Sequence, residues 1–166
     1  MKIVNTGILL ILLTFGILSG VSVKSDFYYD YNRYRITNHL DTIITDSLLE
    51  KAACLHSSYM ALLNTQTDSF IISHYENIKI DGMVNFFYPH DRVYAIDPTK
   101  RYHIAENITA IYNGDFTADQ ILTNWINSPV HNEALLSIKN KRMGLGIMKF
   151  KKNDIPCTYV TLLLTD

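Results

Sequence analysis

Residues 119–146 read DQILTNWINSPVHNEALLSIKNKRMGLG, and this stretch sets the expected order of elements in the second half of the chain. Ile121 and Trp125 belong to an apolar stripe with the spacing of a helix face. Pro129 ends that helix, because a proline disfavours helical geometry in the residue before it. The stretch therefore predicts a helix, a break, a second short helix and a strand that opens through Gly-x-Gly. His131 follows the break, and such turns are a common position for functional side chains.

The N-terminal 22 residues differ in composition from the rest of the chain. Lys2 is the only charged residue before Lys24, and residues 7–18 form an apolar run that ends in small residues. A charged start, an apolar stretch and a small-residue end are typical of a secretory signal peptide. The alternative is a membrane anchor that stays in place, since residues 3–23 approach the length of a membrane span.

The length of 166 residues suits one domain plus a targeting segment. We expect a signal peptide or membrane anchor at residues 1–22, a short linker at 23–30 and one domain at 31–166. On this prediction the protein is secreted or displayed at the cell surface, and it meets a membrane only through an uncleaved N-terminal segment.

The charge and cysteine content exclude several classes of protein. The formal net charge is −1 and the lysines form no basic stripe, so we do not expect nucleic-acid binding. Two cysteines, Cys54 and Cys157, are too few for a disulfide framework, and the chain has no CxxC. We expect both to be free thiols.

Local patterns predict an α+β or layered α/β domain. Asp46 is a suitable N-cap for a helix that runs through Leu63 with apolar residues at helical spacing. Residues 152–154 form a natural hairpin loop. Residues 159–164 are apolar at successive positions, as in a central strand that helices cover on both faces.

Standard catalytic motifs are absent from the sequence. It contains no HExxH, no GxSxG and no P-loop, and the H-x-E at His131-Asn132-Glu133 lacks the second cysteine of a zinc deaminase. Three side chains remain as site candidates, His74, Glu106 and His131, each at a turn or at the end of an element. Two imidazoles and a carboxylate would suit a divalent metal such as zinc with an open coordination position.

Six short motifs occur in an order that resembles the CAP superfamily, the cysteine-rich secretory, antigen 5 and pathogenesis-related 1 proteins. The resemblance is greatest to short bacterial members with an SCP-type domain. The motifs, which span the chain from residue 31 onward, are Tyr31-Asn32-x-x-Arg35, Leu49-x-x-Ala52-Ala53-x-x-His56-Ser57-x-x-Met60, Ser73-His74, Glu106-Asn107-Ile108, Trp125-Ile126-Asn127-Ser128-Pro129-Val130-His131 and Met143-Gly144-Leu145-Gly146.

The resemblance implies an α-β-α sandwich in which helices flank a central, mainly antiparallel sheet. It also implies a cleft where two histidines meet acidic residues and, in some members, a divalent metal. Carried onto this sequence, the cleft residues are His74, Glu106 and His131, with His74 and His131 as the metal ligands. Asn107 and Ser128 would flank the cleft.

Four departures from the family pattern bear on the activity. Ala105 replaces the usual glycine before Glu-Asn, and Ser128 stands where many eukaryotic members have a second cleft acid. Asn132 and Glu133 replace a frequent Arg-Ala pair, and the family's disulfides are absent. A cleft with one acid fewer has fewer groups to act as general base, which weakens a hydrolase mechanism.

We therefore expect an exported, non-enzymatic binding module that takes a lipid, a sterol or a host or surface protein. The alternative is a divalent-metal-dependent hydrolase with His74 and His131 as ligands and Glu106 as base. A third reading is a structural surface protein in which the cleft has lost its role. His56 lies on an apolar helix face, where we expect a hydrogen-bonded core histidine.

Overall fold

A computed structural model describes residues 6–81, 83–100 and 102–166, with side chains from residue 22 onward. These residues form helices and strands in the order α1 (Thr6–Thr37), β1 (Ile44–Thr45), α2 (Ser47–Thr65), α3 (Pro89–Ile96), β2 (Ala105–Tyr112), α4 (Ala118–Ile126), α5 (Pro129–Leu135), β3 (Arg142–Lys152) and β4 (Ile155–Thr165). The strands form one sheet in the order β1-β3-β4-β2. Only the two-residue β1 pairs in parallel, so the sheet is mainly antiparallel, as predicted.

Helices cover both faces of this sheet, because β4 is apolar on both sides. Val160, Leu162 and Leu164 pack into a core with residues of α1, α4 and α5. The alternate residues Tyr159 and Leu163 pack against α2 and its neighbours on the opposite face. Successive side chains of a strand point to opposite faces, so an uninterrupted apolar run serves two cores at once. The α+β class and the α-β-α arrangement are confirmed.

Two glycines of β3 let helix α2 approach the sheet closely. A Cβ atom added at Gly144 would overlap the backbone of Leu49, and one added at Gly146 would overlap the backbone of Ala53. Ser57, further along α2, donates a hydrogen bond of 3.1 Å to the carbonyl oxygen of Gly146. The Gly-x-Gly of the sequence is therefore a packing requirement of the helix–sheet contact.

Local capping signals in the sequence mark the helix starts correctly. Asp46 Oδ1 accepts hydrogen bonds from the backbone N–H groups of Leu48 and Leu49, at 2.8 and 3.4 Å, and so begins α2. Thr117 and Gln120 exchange side-chain to backbone hydrogen bonds at the start of α4. Each cap satisfies amide groups that the first turn of a helix leaves without a partner.

Helix α1 corrects the predicted linker at residues 23–30. That segment is helical, and Phe27 is fully buried with its ring edge-on to Trp125 at a centroid distance of 5.7 Å. Burying a large aromatic ring is strongly favourable, which ties the segment into the domain. The proline and glycine residues that break helices are absent from residues 23–30, and this could have been read from the sequence.

The predicted signal or anchor at residues 1–22 lies almost wholly outside the residues whose side chains are described. Within the described residues, none of the helices combines the length and the apolar content needed to cross a membrane.

Substituting Gly146→Ala should destabilise the fold by about 3 kcal/mol, because the added methyl group has no space between β3 and α2. Gly114→Ala is a matched control, since its Cβ would lie 3.2 Å from the side-chain atom Cγ2 of Ile111, which can yield slightly. Urea unfolding followed by circular dichroism measures both. Equal stability of Gly146→Ala and wild type would contradict the close helix–sheet contact.

Candidate functional site

The three candidate residues lie close together although they are far apart in sequence, and we define the cleft as the region around them. His74 lies in the irregular segment after α2, Glu106 is the second residue of β2, and His131 lies in the first turn of α5. His74 Nδ1 is 3.0 Å from Glu106 Oε1. Asn107, next to Glu106, donates a hydrogen bond of 3.0 Å to the backbone oxygen of His131. The fold therefore brings the three residues close together, and their role as a site stays a prediction.

Ser128 occupies the position at which the family often places a second acid, and it contacts His131 directly. Ser128 Oγ lies 2.8 Å from His131 Nδ1. Partial burial, and to a smaller degree the nearby ring of His74, hold the pKa of His131 below its ordinary value. A neutral serine cannot offset these effects as a carboxylate would. The His131 ring is therefore biased toward its uncharged form.

Glu106 is engaged by a buried arginine that sequence analysis did not identify as part of the site. Arg92 is fully buried and donates to Glu106 Oε2 through Nη2, and to Glu76 Oε1 through Nη1 at 3.2 Å. The side chain of Glu106 is only 2% exposed. Both carboxylate oxygens of Glu106 therefore have partners, His74 on one and Arg92 on the other.

Glu76 continues this network into the core. Its Oε2 accepts a hydrogen bond of 2.8 Å from the backbone N–H of Phe86, and its Oε1 lies 2.9 Å from His56 Nδ1. The other ring nitrogen of His56 is 2.9 Å from the carbonyl oxygen of Ser73, directly before His74. His56 is the hydrogen-bonded core histidine that its place on α2 predicted, and it also supports the cleft.

Helix α3 and strand β2 position the buried charges of Arg92 and Glu106. Pro89 starts α3 at the first helical position, where its missing N–H costs nothing, and α3 points Arg92 inward. The strand geometry of β2 places Glu106 opposite Leu163 of β4. Buried charges are tolerated only when they are paired and hydrogen-bonded, so the network specifies how the segments around His74 must lie.

The cleft does not offer the three ligands of a typical catalytic zinc site. Among the described residues, no group of three or more His, Cys, Asp or Glu side chains is placed to hold a metal ion. Glu106 already forms hydrogen bonds with Arg92 and His74, so only the imidazoles of His74 and His131 remain as candidate metal ligands. Catalytic zinc normally takes three protein ligands. The predicted divalent metal stays a prediction.

Arg92 and Glu76 were missed because each stands alone in an apolar or irregular stretch. Residues 84–94 read VNFFYPHDRVY, and Glu76 follows His74 by two positions. The aromatic residues around Arg92 suggest that it is buried, and a buried arginine needs a carboxylate partner, but the sequence does not indicate which carboxylate that is.

The remaining histidines and the cysteines lie apart from this set. His39, His90 and His103 are exposed. In the described part of the chain Cys54 and Cys157 are both free, as predicted, and Cys157 is buried.

Comparison with sequence families gives one match over most of the chain. The family model described as "CAP: Cysteine-rich secretory protein family" matches residues 28–163. A comparison with curated protein sequences finds no match.

Solved structures of bacterial proteins share the fold. An outer surface protein of Borrelia burgdorferi is 20% identical, with a TM-score of 0.58 over 86% of this chain and 92% of that one. An extracellular SCP-domain protein of Bacillus anthracis is 20% identical, with a TM-score of 0.60 over 86% of this chain and 40% of that one. A cysteine-rich secretory protein of Staphylococcus aureus is 18% identical, with a TM-score of 0.51 over 84% of this chain and 36% of that one. Identities this low establish a common fold and no more.

Substituting Arg92→Met should destabilise the domain by about 3–5 kcal/mol, because Glu76 and Glu106 would lose the cation between them. Arg142→Met is the matched control. Arg142 pairs with Asp46 at 3.1 Å but its side chain is 45% exposed, so its loss should cost less than about 1 kcal/mol. Urea unfolding at neutral pH compares the two. Similar, small losses in both variants would show that the buried network contributes little.

The lowered pKa of His131 predicts a loss of stability in weak acid. The unfolded chain binds a proton at His131 more readily than the folded chain does. The stability contributed by the uncharged ring is therefore fully present above about pH 6.5, and it is lost as the pH falls through the folded-state pKa of His131. His131→Gln should flatten this part of the profile. His39→Asn, at an exposed position with a positive φ of 60° that asparagine tolerates, should leave it unchanged. Thermal unfolding across this pH range tests it, and identical profiles for wild type and His131→Gln would refute it.

Proposed function

The chain belongs to the CAP family of cysteine-rich secretory proteins, and from that premise we propose that it is an exported binding protein. Its cleft and the adjoining surface take a lipid, a sterol or a partner protein at the cell surface. The bacterial proteins that share the fold are described as outer surface, extracellular or secretory. The apolar residues 1–22 support export of this chain as well.

An exposed aromatic surface beside the cleft carries the proposal. We define the aromatic surface as Tyr75, Phe87 and Tyr88, whose side chains are 46–48% exposed. Their ring centroids lie 4.8–6.0 Å apart, and Tyr75 directly follows His74. Aromatic groups that pack against one another and still face solvent are typical of binding surfaces. Polar imidazoles next to apolar rings suit an amphipathic ligand.

The burial and the hydrogen bonds of Glu106 favour a binding role for the cleft over a catalytic one. A general base needs a carboxylate oxygen within reach of the substrate, but Glu106 is buried and contacts Arg92 and His74. The position that could have held a second acid is Ser128. The cleft thus offers two imidazole rings with hydrogen-bonding capacity and no unengaged carboxylate from the predicted set.

Binding can be tested with lipid extraction and native mass spectrometry of residues 23–166, which retain the core residue Phe27. We expect co-purified or added lipid or sterol to bind the wild-type domain. The double substitution Tyr75→Ala and Phe87→Ala should reduce binding at least tenfold, because it removes two rings of the aromatic surface. Tyr29→Ala, at a tyrosine of α1 that is 65% exposed, is the control.

Partner proteins are tested in parallel by pull-down with the same variants. Capture that depends on Tyr75 and Phe87 but not on Tyr29 would favour a surface protein as the ligand. A wild-type domain that binds neither lipid, sterol nor a partner would remove the basis for the proposal.

The alternative, a divalent-metal-dependent hydrolase, requires a ligand and a base beyond those that the cleft presents. Calorimetric titration of zinc into wild type, His74→Ala and His131→Ala tests it. Micromolar binding that both substitutions abolish would establish the metal site and reopen the hydrolase mechanism. Hydrolytic activity that persists in a Glu106→Ala, His131→Ala double variant would exclude the proposed catalytic set.

A further inference from the structure

We propose that Arg92 is a positioning residue of the cleft, which acts through Glu106 to hold the His74 ring with its proton on Nδ1. The other ring nitrogen, Nε2, is then unprotonated and is presented to the ligand as a hydrogen-bond acceptor. This role rests on the proposed binding function and specifies the ligand chemistry, a neutral group that donates a hydrogen bond, such as a hydroxyl or an amide N–H.

The guanidinium of Arg92 has little freedom to move. It is fully buried, and its two terminal nitrogens donate to different carboxylates, Nη1 to Glu76 and Nη2 to Glu106. Glu76 is itself held by the backbone N–H of Phe86 at 2.8 Å and lies 2.9 Å from His56 Nδ1. A planar guanidinium offers donors in a fixed geometry, so it orients its acceptors more strictly than a lysine does.

Glu106 transmits this orientation to His74. With Oε2 on Arg92, its other oxygen faces His74 Nδ1 at 3.0 Å. An ionised carboxylate has lone pairs and no proton, so the hydrogen in this contact must sit on Nδ1. The hydrogen bond made by one ring nitrogen fixes which nitrogen of a neutral imidazole is protonated. Arg92 therefore sets the tautomer of His74 without touching it.

The opposite nitrogen of His74 is accessible. The His74 side chain is 44% exposed, whereas the Glu106 side chain is 2% exposed. In the described part of the chain, no backbone or side-chain group forms a hydrogen bond with Nε2. This atom is therefore available to a bound molecule.

The position of the ring proton on His74 determines which ligand head groups can form a hydrogen bond with Nε2. A bare Nε2 accepts a hydrogen bond from a hydroxyl or an amide N–H. A carboxylate or an ionised phosphate ester has only acceptors, so its lone pairs would face that of Nε2. Among amphipathic ligands, alcohols are therefore favoured over acids.

The first test reads the tautomer directly, in the full chain labelled with ¹⁵N-histidine at pH 8. In wild type, Nδ1 of His74 should show the nitrogen shift of a protonated ring nitrogen and Nε2 that of a bare one. His74→Gln assigns the signals. Arg92→Gln should move both shifts toward the average of the two tautomers, while Arg33→Gln, at an exposed arginine of α1, should leave them unchanged.

A second variant keeps this test decisive if Arg92→Gln does not fold. Glu106→Gln retains the shape of the side chain but removes its charge, and it should likewise weaken the preference for a proton on Nδ1. A wild-type His74 protonated on Nε2 would overturn the proposal. So would a tautomer that stays the same in every folded variant of Arg92 and Glu106.

The second test uses two probes with the same ring, benzyl alcohol and benzoate. Benzyl alcohol should shift the His74 Nε2 signal progressively with concentration in wild type, and benzoate should not. Arg92→Gln, or Glu106→Gln in its place, should reduce the difference between the probes. A larger response to benzoate, or no response to benzyl alcohol, would overturn the ligand assignment. If His74 shows the expected tautomer but the domain binds neither lipid nor a partner protein, the proposed function alone would be overturned.

Discussion

The close contact between helix α2 and strand β3 is the constraint on which the rest of the structure depends. Gly144 and Gly146 have no side chain on the face that meets α2, so the helix lies directly against the sheet. The same helix carries His56 toward Glu76 and closes one side of the core with Leu49 and Ala53. A bulkier residue in β3 would lift α2 and separate the groups that support His74 from the strand that carries Glu106. The cleft is therefore a consequence of packing several residues away from it.

Charge pairing then determines what the cleft can do. The network contains two buried carboxylates, one buried arginine and a buried histidine, and each has a partner at hydrogen-bond distance. Such networks contribute less to net stability than to a single defined arrangement, because desolvation offsets much of the attraction. Here the arrangement holds Nδ1 of His74 against Glu106 and leaves the Nε2 side of the ring accessible. The pairing that stabilises the cleft also engages both carboxylate oxygens of Glu106.

Membership in the CAP family defines the scaffold, while individual side chains determine its use. Ser128 illustrates this, since it keeps a hydrogen-bond contact with His131 and supplies no charge. A carboxylate at that position would favour a protonated ring, whereas the serine leaves burial to lower the pKa of His131. The aromatic surface of Tyr75, Phe87 and Tyr88 adds apolar contact area next to the polar cleft. The proposed recognition of a neutral, partly apolar molecule rests on these features together.

The sequence by itself determined the local elements and singled out three candidate residues of the cleft, whose role stays a prediction. Asp46 and Thr117 start their helices where capping rules place them, and motif order alone selected His74, Glu106 and His131. Capping and apolar periodicity act over a few residues, so they can be read without the fold. Tertiary structure alone decided that Phe27, within residues 23–30, is buried in the core, and that Arg92 pairs with both Glu76 and Glu106. The role of a buried charge depends on which distant segment provides its partner. Arg92 and Glu106 are 14 positions apart and meet only because the fold brings these side chains of α3 and β2 together.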